Sequence, residues 1–322
     1  MIEVQDLVRE YHIRRPGHGL KDLLHPQIDV MRAVDGISFR IGEGEMVGFI
    51  GPNGAGKSTT MKMLTSILTP TSGSVRVNQC TPTEDRKHYV KTIGAMFGQK
   101  TQLWWDLPLE DSYLLLKSMY GISDDDYARN MKLFDDVLEL GPLLKQPVRQ
   151  LSLGQRIRGD LAAVFLHNPK VVFLDEPTLG LDFLVKKRIR EFIRRINEMR
   201  HTTLLLTSHD IADIETLCDR LIIINKGKIV YDGSLETLRR NYGRVRKLVI
   251  TTAAVCEDFP LKGATLVSSE ENRKVYAFDA TVSPSDLIVQ ASANHVITDI
   301  SIREPETEDI ISEIYETRGN GI

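Results

Sequence analysis

One stretch, GPNGAGKST (Gly51–Thr59), leaves few folds open to this chain. It follows the apolar run EMVGFI and opens the apolar-periodic stretch KSTTMKMLTSIL. A buried strand, a glycine-rich turn and a helix in that order satisfy the full context of the phosphate-loop pattern G-x-x-x-x-G-K-[ST]. The glycines let backbone N–H groups wrap phosphate oxygens. Lys57 supplies a point charge to the outer phosphates, and Ser58 offers a hydroxyl to magnesium. The whole stretch, Gly51, Pro52, Asn53, Gly54, Ala55, Gly56, Lys57, Ser58 and Thr59, is therefore a candidate nucleotide site.

Around this loop, strand and helix patterns alternate. Residues 2 to 11 read as a strand, and Arg14 to Arg32, with two prolines and two histidines, as a loop insertion after it. Residues 108 to 145 read as helical, capped at Asp111 and Ser123 and stopped near Gly121 and Gly141. KVVFLDEP and TTLLLTSHD are continuous apolar runs, as buried parallel strands are. RLIIINKGKIVYDG reads as a hairpin turning on Lys226 and Gly227. Strands alternating with helices predict a parallel α/β sheet. Beyond about residue 240 the style changes to short strands with two amphipathic helices, the first begun by Ser283-Pro284. The expected division is residues 1–240, with a helical subdomain at about 100–165, and a small α+β domain, ferredoxin-like in outline, over 245–322.

Two acids end the VVFLDE strand. Asp175 stands where a magnesium-binding carboxylate belongs, and Glu176, one residue on, points elsewhere and can polarise a water. Gln99 and His209 also sit at strand ends, and they gain meaning only in company with the loop. LSLGQRIRGDL, from Leu151, is a second anion site by its own chemistry. Ser152 and Gly154 open a helix, whose first N–H groups and dipole favour negative charge. Since the first loop already holds a phosphate, the second raises the question of whose phosphate it serves.

Taken together and in order, residues 2 to about 235 resemble the nucleotide-binding subunit of ABC transporters. The resemblance rests on the phosphate loop, Gln99, the signature LSLGQ (Leu151 to Gln155), VVFLDE, Gly180-Leu181-Asp182 and His209. Leu153 replaces the first of two glycines usual in that signature, and LGLD stands where SALD is commoner. The finer resemblance, through GQKTQLWWDLP, PVRQLSLGQR and ISIREPETEDII, is to ATPase subunits of ABC-2-type exporters, with the viologen exporters as the nearest subgroup.

The resemblance implies a P-loop NTPase core with an antiparallel β subdomain and a helical subdomain. It implies a head-to-tail dimer with two ATP molecules at the seam. Lys57, Ser58, Asp175 and Mg2+ would neutralise phosphate charge, with Gln99 touching metal and water. Glu176 would be the base and His209 would contact the γ-phosphate. Tyr11 would stack on adenine, Ser152 and Gly154 would close over the γ-phosphate from the facing subunit, and Gln155 and Asp182 would also bind the nucleotide. Membrane passage would belong to separate ABC-2-type permease subunits, with this chain cytoplasmic and peripheral on the inner face of the membrane. Trp104, Trp105 and Leu107 are candidates for the surface that meets the permease; packing in the core is the alternative.

Composition narrows the competing functions. No run of about 18 apolar residues is present, so no membrane span is expected. Three widely spaced cysteines argue against a disulfide framework or a zinc site. A net charge of -3 gives no footprint for nucleic acid. The rival reading, a soluble ABC ATPase acting on nucleic acid or the ribosome, would call for two cassettes or long coiled coils, and neither pattern is found. A regulatory module without turnover is disfavoured by Glu176 and His209.

Overall fold

VVFLD and TLLLT are buried at every position in the computed structural model, which describes residues 1–14, 28–98, 100–243 and 245–319. Such runs fit only a sheet covered on both faces. They are β6 (Val171–Asp175) and β7 (Thr203–Thr207) of a six-stranded sheet ordered β5-β6-β7-β3-β8-β9. Its other strands are β3 (Met46–Ile50), β5 (Ile93–Phe97), β8 (Arg220–Asn225) and β9 (Lys228–Ser234). β3, β5, β6, β7 and β8 pair in parallel. β8 and β9 are joined by Lys226 and Gly227, both at positive φ, which suits a tight hairpin turn.

A three-stranded antiparallel sheet, β2-β1-β4, is built from β1 (Ile2–Arg14), β2 (Ile28–Ile41) and β4 (Ser72–Val77). Its inward residues, among them Ile2, Val4, Phe39 and Val75, share one core with Phe49 and Phe173 of the larger sheet. The first two strands correct the expected insertion. β1 runs on to Arg14, and Ile28 to Arg32 belong to β2, with Tyr11 opposite Met31 and Ile13 opposite Asp29. Cross-strand hydrogen bonding extends the ribbon where composition alone suggested a loop. The remainder of the insertion, 15–27, lies outside the described residues.

α1 (Lys57–Leu64) follows β3, and the short α2 (Arg86–Tyr89) precedes β5. The helical part comprises α3 (Leu109–Tyr120), α4 (Asp124–Leu138) and α5 (Leu153–Phe165). Pro108, not Asp111, occupies the N-cap position of α3 and makes no side-chain cap bond; Asp111 lies in the first turn. Ser123 caps α4 as expected, accepting from Asp126 N–H at 3.1 Å. α4 ends at Glu139, whose φ of 50° supplies the left-handed cap expected near Gly141. α6 (Phe183–Arg200) buries Ile189, Phe192, Ile193 and Ile196, the i, i+3, i+4, i+7 stripe of an amphipathic helix. Phe192 meets Phe134 of α4 and Phe165 of α5 edge-on, at 5.3 and 5.4 Å between ring centres. α7 (Ile211–Leu217) follows β7.

The chain divides into two units, Met1–Asp232 and Gly233–Ile322. The division falls earlier than the expected boundary near 240, so α8 (Leu235–Tyr242) groups with the second unit, where Arg239 reaches Thr307 at 3.2 Å. That unit holds an antiparallel sheet ordered β11-β12-β10-β13, made of β10 (Val245–Thr252), β11 (Ala264–Glu270), β12 (Arg273–Asp279) and β13 (Ile297–Arg303). This is the ferredoxin-like strand order, but no helix forms in the crossover at 253–263. α9 (Pro284–Ser292) contributes Leu287 and Ala291 to a core with Leu248, Ile250, Tyr276 and Phe278. Buried Lys274 holds the helixless crossover through Asp258 at 3.3 Å. α10 (Thr307–Gly319) closes the unit. Among the described residues, no helix is long and apolar enough to cross a membrane.

Candidate functional site

The carboxyl ends of β3, β7, β6 and β5 lie side by side, and the candidate residues gather there, as ligand-binding groups do in open α/β sheets. Gly51–Thr59 links β3 to α1. Gly56 caps α1 at a φ of 111°, and a Cβ there would stand 2.5 Å from the carbonyl oxygen of Ala33. Only glycine satisfies both demands. The α-carbon of Gly54, by contrast, faces open space, as a cradle for a bound group requires. Lys57 is buried and its ammonium donates to the carbonyls of Gly51 (2.6 Å) and Pro52 (3.2 Å). Burial lowers its pKa, while Glu176 and Asp175 pull it back up. Both carboxylates thus act on the loop lysine electrostatically.

Asp175 ends β6 opposite Thr207 of β7, whose hydroxyl donates to Asp175 Oδ1 at 2.6 Å. A hard oxygen donor set from Ser58 and Asp175 fits magnesium. Glu176 adopts a φ of 56°, uncommon outside glycine. Its N–H is held by Thr207, through the carbonyl and hydroxyl oxygens, both at 3.1 Å. His209 Nε2 lies 2.8 Å from Glu176 Oε1. Gly98, just past β5, donates its N–H to the Asp175 carbonyl at 2.8 Å, so the segment leading to Gln99 begins beside the two acids. Gln99 itself lies outside the described residues.

Tyr11 on β1, opposite Met31 of β2, has the Arg9 guanidinium 4.9 Å above its ring. Ser152 caps α5 in a full capping box: Gln155 N–H donates to Ser152 Oγ at 3.3 Å, and Ser152 N–H donates to Gln155 Oε1 at 2.8 Å. A Cβ on Gly154 would make only ordinary contact with Val185 and Leu181. Asp182 caps α6, accepting from Val185 N–H at 3.0 Å. Among the described residues, no hydrogen bond joins Ser152, Gly154, Gln155 or Asp182 to Lys57, Asp175, Glu176 or His209. Gly154 packs toward Leu181 and Val185, which flank Asp182, so the second group gathers around the signature helix.

Residues missed in the sequence complete the picture. Thr207 serves both acids. Asp160 of α5 accepts from the Thr101 hydroxyl at 2.8 Å and from Gln102 N–H at 3.0 Å, fixing the segment after Gln99 to the signature helix. Trp104 and Trp105 continue that segment at 37% and 48% exposure, so core packing is not their role. Arg156 lies 5.5 Å over Trp105. Only an acid within a mostly apolar helix face could have flagged Asp160 in advance.

A family model described as ABC transporter matches residues 34–179. The ABC transporter ATP-binding protein NatA of Bacillus subtilis (strain 168) is 30% identical over 209 residues, which cover 65% of this chain and 85% of that relative. The linearmycin resistance ATP-binding protein LnrL of the same organism is 27% identical over 284 residues, or 85% of this chain and 91% of the relative. The dimeric structure of a bacterial ABC transporter cassette is similar at a TM-score of 0.62 and 25% identity, covering 73% of this chain and 99% of that one.

Proposed function

We propose, on the premise that the chain belongs to the ABC transporter family as an ATP-binding ATPase subunit, that two copies close head to tail on ATP and power export through separate ABC-2-type membrane subunits. The observation that carries the reading is the convergence at the strand ends. Glu176 stands 2.8 Å from His209, and both Glu176 and Asp175 act on Lys57.

In this reading the backbone N–H groups of Gly51–Thr59 and the Lys57 ammonium hold the phosphates. Ser58 and Asp175 hold magnesium, whose charge offsets that of the transferred phosphoryl group. Glu176 takes a proton from the attacking water, and His209, braced by Glu176, contacts the γ-phosphate. Gln99 senses metal and water, and Tyr11 receives the adenine ring. Ser152, Gly154, Gln155 and Asp182 serve the ATP of the facing copy. Among the described residues these four make no hydrogen bond to Lys57, Asp175, Glu176 or His209, which supports that assignment.

Export is favoured by the exporter-like stretches in the sequence and by a relative named for linearmycin resistance. Exposed Trp104 and Trp105 offer the apolar contact that a membrane subunit needs, on the cytoplasmic face. The test is Glu176→Gln. The variant is expected to bind ATP and dimerise while turnover falls by about a hundredfold or more. Hydrolysis at the wild-type rate would remove Glu176 as the base.

A further inference from the structure

Three segments that the proposed reaction uses meet at one buried carboxylate that the motifs do not include. Asp213, on α7, is fully buried. Its Oδ2 accepts from the Thr178 hydroxyl and, at 2.7 Å, from the Ser208 hydroxyl. Its Oδ1 pairs with Arg190 of α6, at 2.6 Å from Nε and 2.5 Å from Nη2. Thr178 lies two residues after Glu176, Ser208 directly precedes His209, and α6 is the helix that Asp182 caps. The neighbouring Asp210 reinforces the cluster, pairing with Lys186 at 2.6 Å and with Arg190 at 3.4 Å. Ser208 also accepts from Asp210 N–H at 3.0 Å, so its hydroxyl is fixed from both sides.

Stability alone gives no reason for this arrangement. A buried ion pair is often matched or bettered by apolar side chains of the same volume. A saturated carboxylate does fix the direction of every group that donates to it. Here two of those groups are one and two residues from His209 and Glu176, and a residue spans only about 3.5 Å. A slack of about 1 Å at Ser208 would therefore reach the imidazole almost undiminished, and misplacement on that scale can cost about a hundredfold in rate.

We propose that Asp213 is a positioning residue that holds His209 against Glu176. The proposal rests on the assignment of Glu176 and His209 to ATP hydrolysis. It also gives α6 a mechanical link to His209 through Arg190, so that a displacement at the Leu181-Asp182 turn is carried to the imidazole.

The full chain carrying Asp213→Asn tests it, because Asp210 still compensates the Arg190 charge in that variant. Steady-state ATPase assays with magnesium, ATP-binding stoichiometry and thermal unfolding are measured together. The expected result is a kcat lowered by about tenfold to a hundredfold, with KM for ATP and binding stoichiometry kept. The double variant Asp213→Asn/His209→Ala should be no slower than His209→Ala alone, since the carboxylate acts through the histidine. Losses that multiply in the double variant, or a wild-type kcat in folded Asp213→Asn, overturn the proposal. If Asp213→Asn fails to fold, Ser208→Ala combined with Thr178→Val removes both hydroxyl tethers and leaves the ion pair. Wild-type turnover in that variant also overturns it, and a loss that does not add to His209→Ala supports it. Wild-type turnover in His209→Ala would instead sink the underlying assignment.

Discussion

At the residue scale, Asp160 shows how a buried acid leaves a mark on stability. Burial raises its carboxyl to about 6, against hydrogen bonds from Thr101 and Gln102 that favour the charged form. The folded chain therefore binds this proton more tightly than the unfolded chain, whose carboxyl titrates near 3.8. The Asp160 contribution is greatest below about pH 4 and is lost as pH rises through about 6, a change of up to about 3 kcal/mol. His167 works the other way in the same window. Burial lowers its imidazole to about 4, so the unfolded chain takes up this proton first as pH falls below 6.5. The two trends oppose each other across this window, so the wild-type curve does not isolate Asp160. Asp160→Asn separates them, because its oxygen still accepts from Thr101 while the charge is gone. The variant should exceed the wild type in stability at pH 8 and lose that advantage by pH 4, as followed by urea unfolding. An advantage equal at both pH values would show that the Asp160 carboxyl is not raised.

At the scale of elements, α5 rests on β5 at Gly94. A Cβ on Gly94 would stand 2.8 Å from Val164 Cγ1 and 2.9 Å from the Val164 carbonyl oxygen. The side chain can rotate away, but the backbone oxygen cannot, so Gly94→Ala must lift the helix that carries Ser152. A cost of about 1–3 kcal/mol is expected, measured by urea unfolding, together with weaker ATP-dependent dimerisation in a Glu176→Gln background. Unchanged stability would mean that helix and strand pack less tightly. What the sequence revealed about elements follows the same distinction between local and distant causes. The Ser152 cap and the Lys226-Gly227 turn were legible because each is settled within a few residues. The end of α4 falls near the expected Gly141, but it is Glu139 that adopts the left-handed conformation glycine more often fills. The far arms of β1 and β2 were missed because only pairing across the ribbon makes them strands. Thr207 and Asp213 were invisible as partners because Thr207 lies 32 residues from Asp175 and Asp213 lies 35 from Thr178.

For the whole molecule, the phosphate loop and the signature helix belong to one chain but make separate local networks. The sequence showed both motifs; it could not show that Ser152 and Gln155 satisfy each other's hydrogen bonds while Lys57 donates within its own loop. If the signature serves the facing copy, two crippled chains can complement each other. A chain with Lys57→Ala keeps an intact Ser152, and a chain with Ser152→Arg keeps an intact phosphate loop. Paired, they form one site in which both substitutions fall and one that carries neither. Each homodimer has no complete site. If the signature instead served the ATP of its own chain, every site in the mixture would carry one lesion. Random assortment makes half the dimers mixed, each with one whole site, so about a quarter of the wild-type sites should return. Mixing the two purified variants should therefore restore ATP turnover and retain about one ATP per mixed dimer. Each variant alone stays near background. If both variants fold and associate, yet the mixture neither turns over nor retains ATP, the signature does not act across a head-to-tail seam.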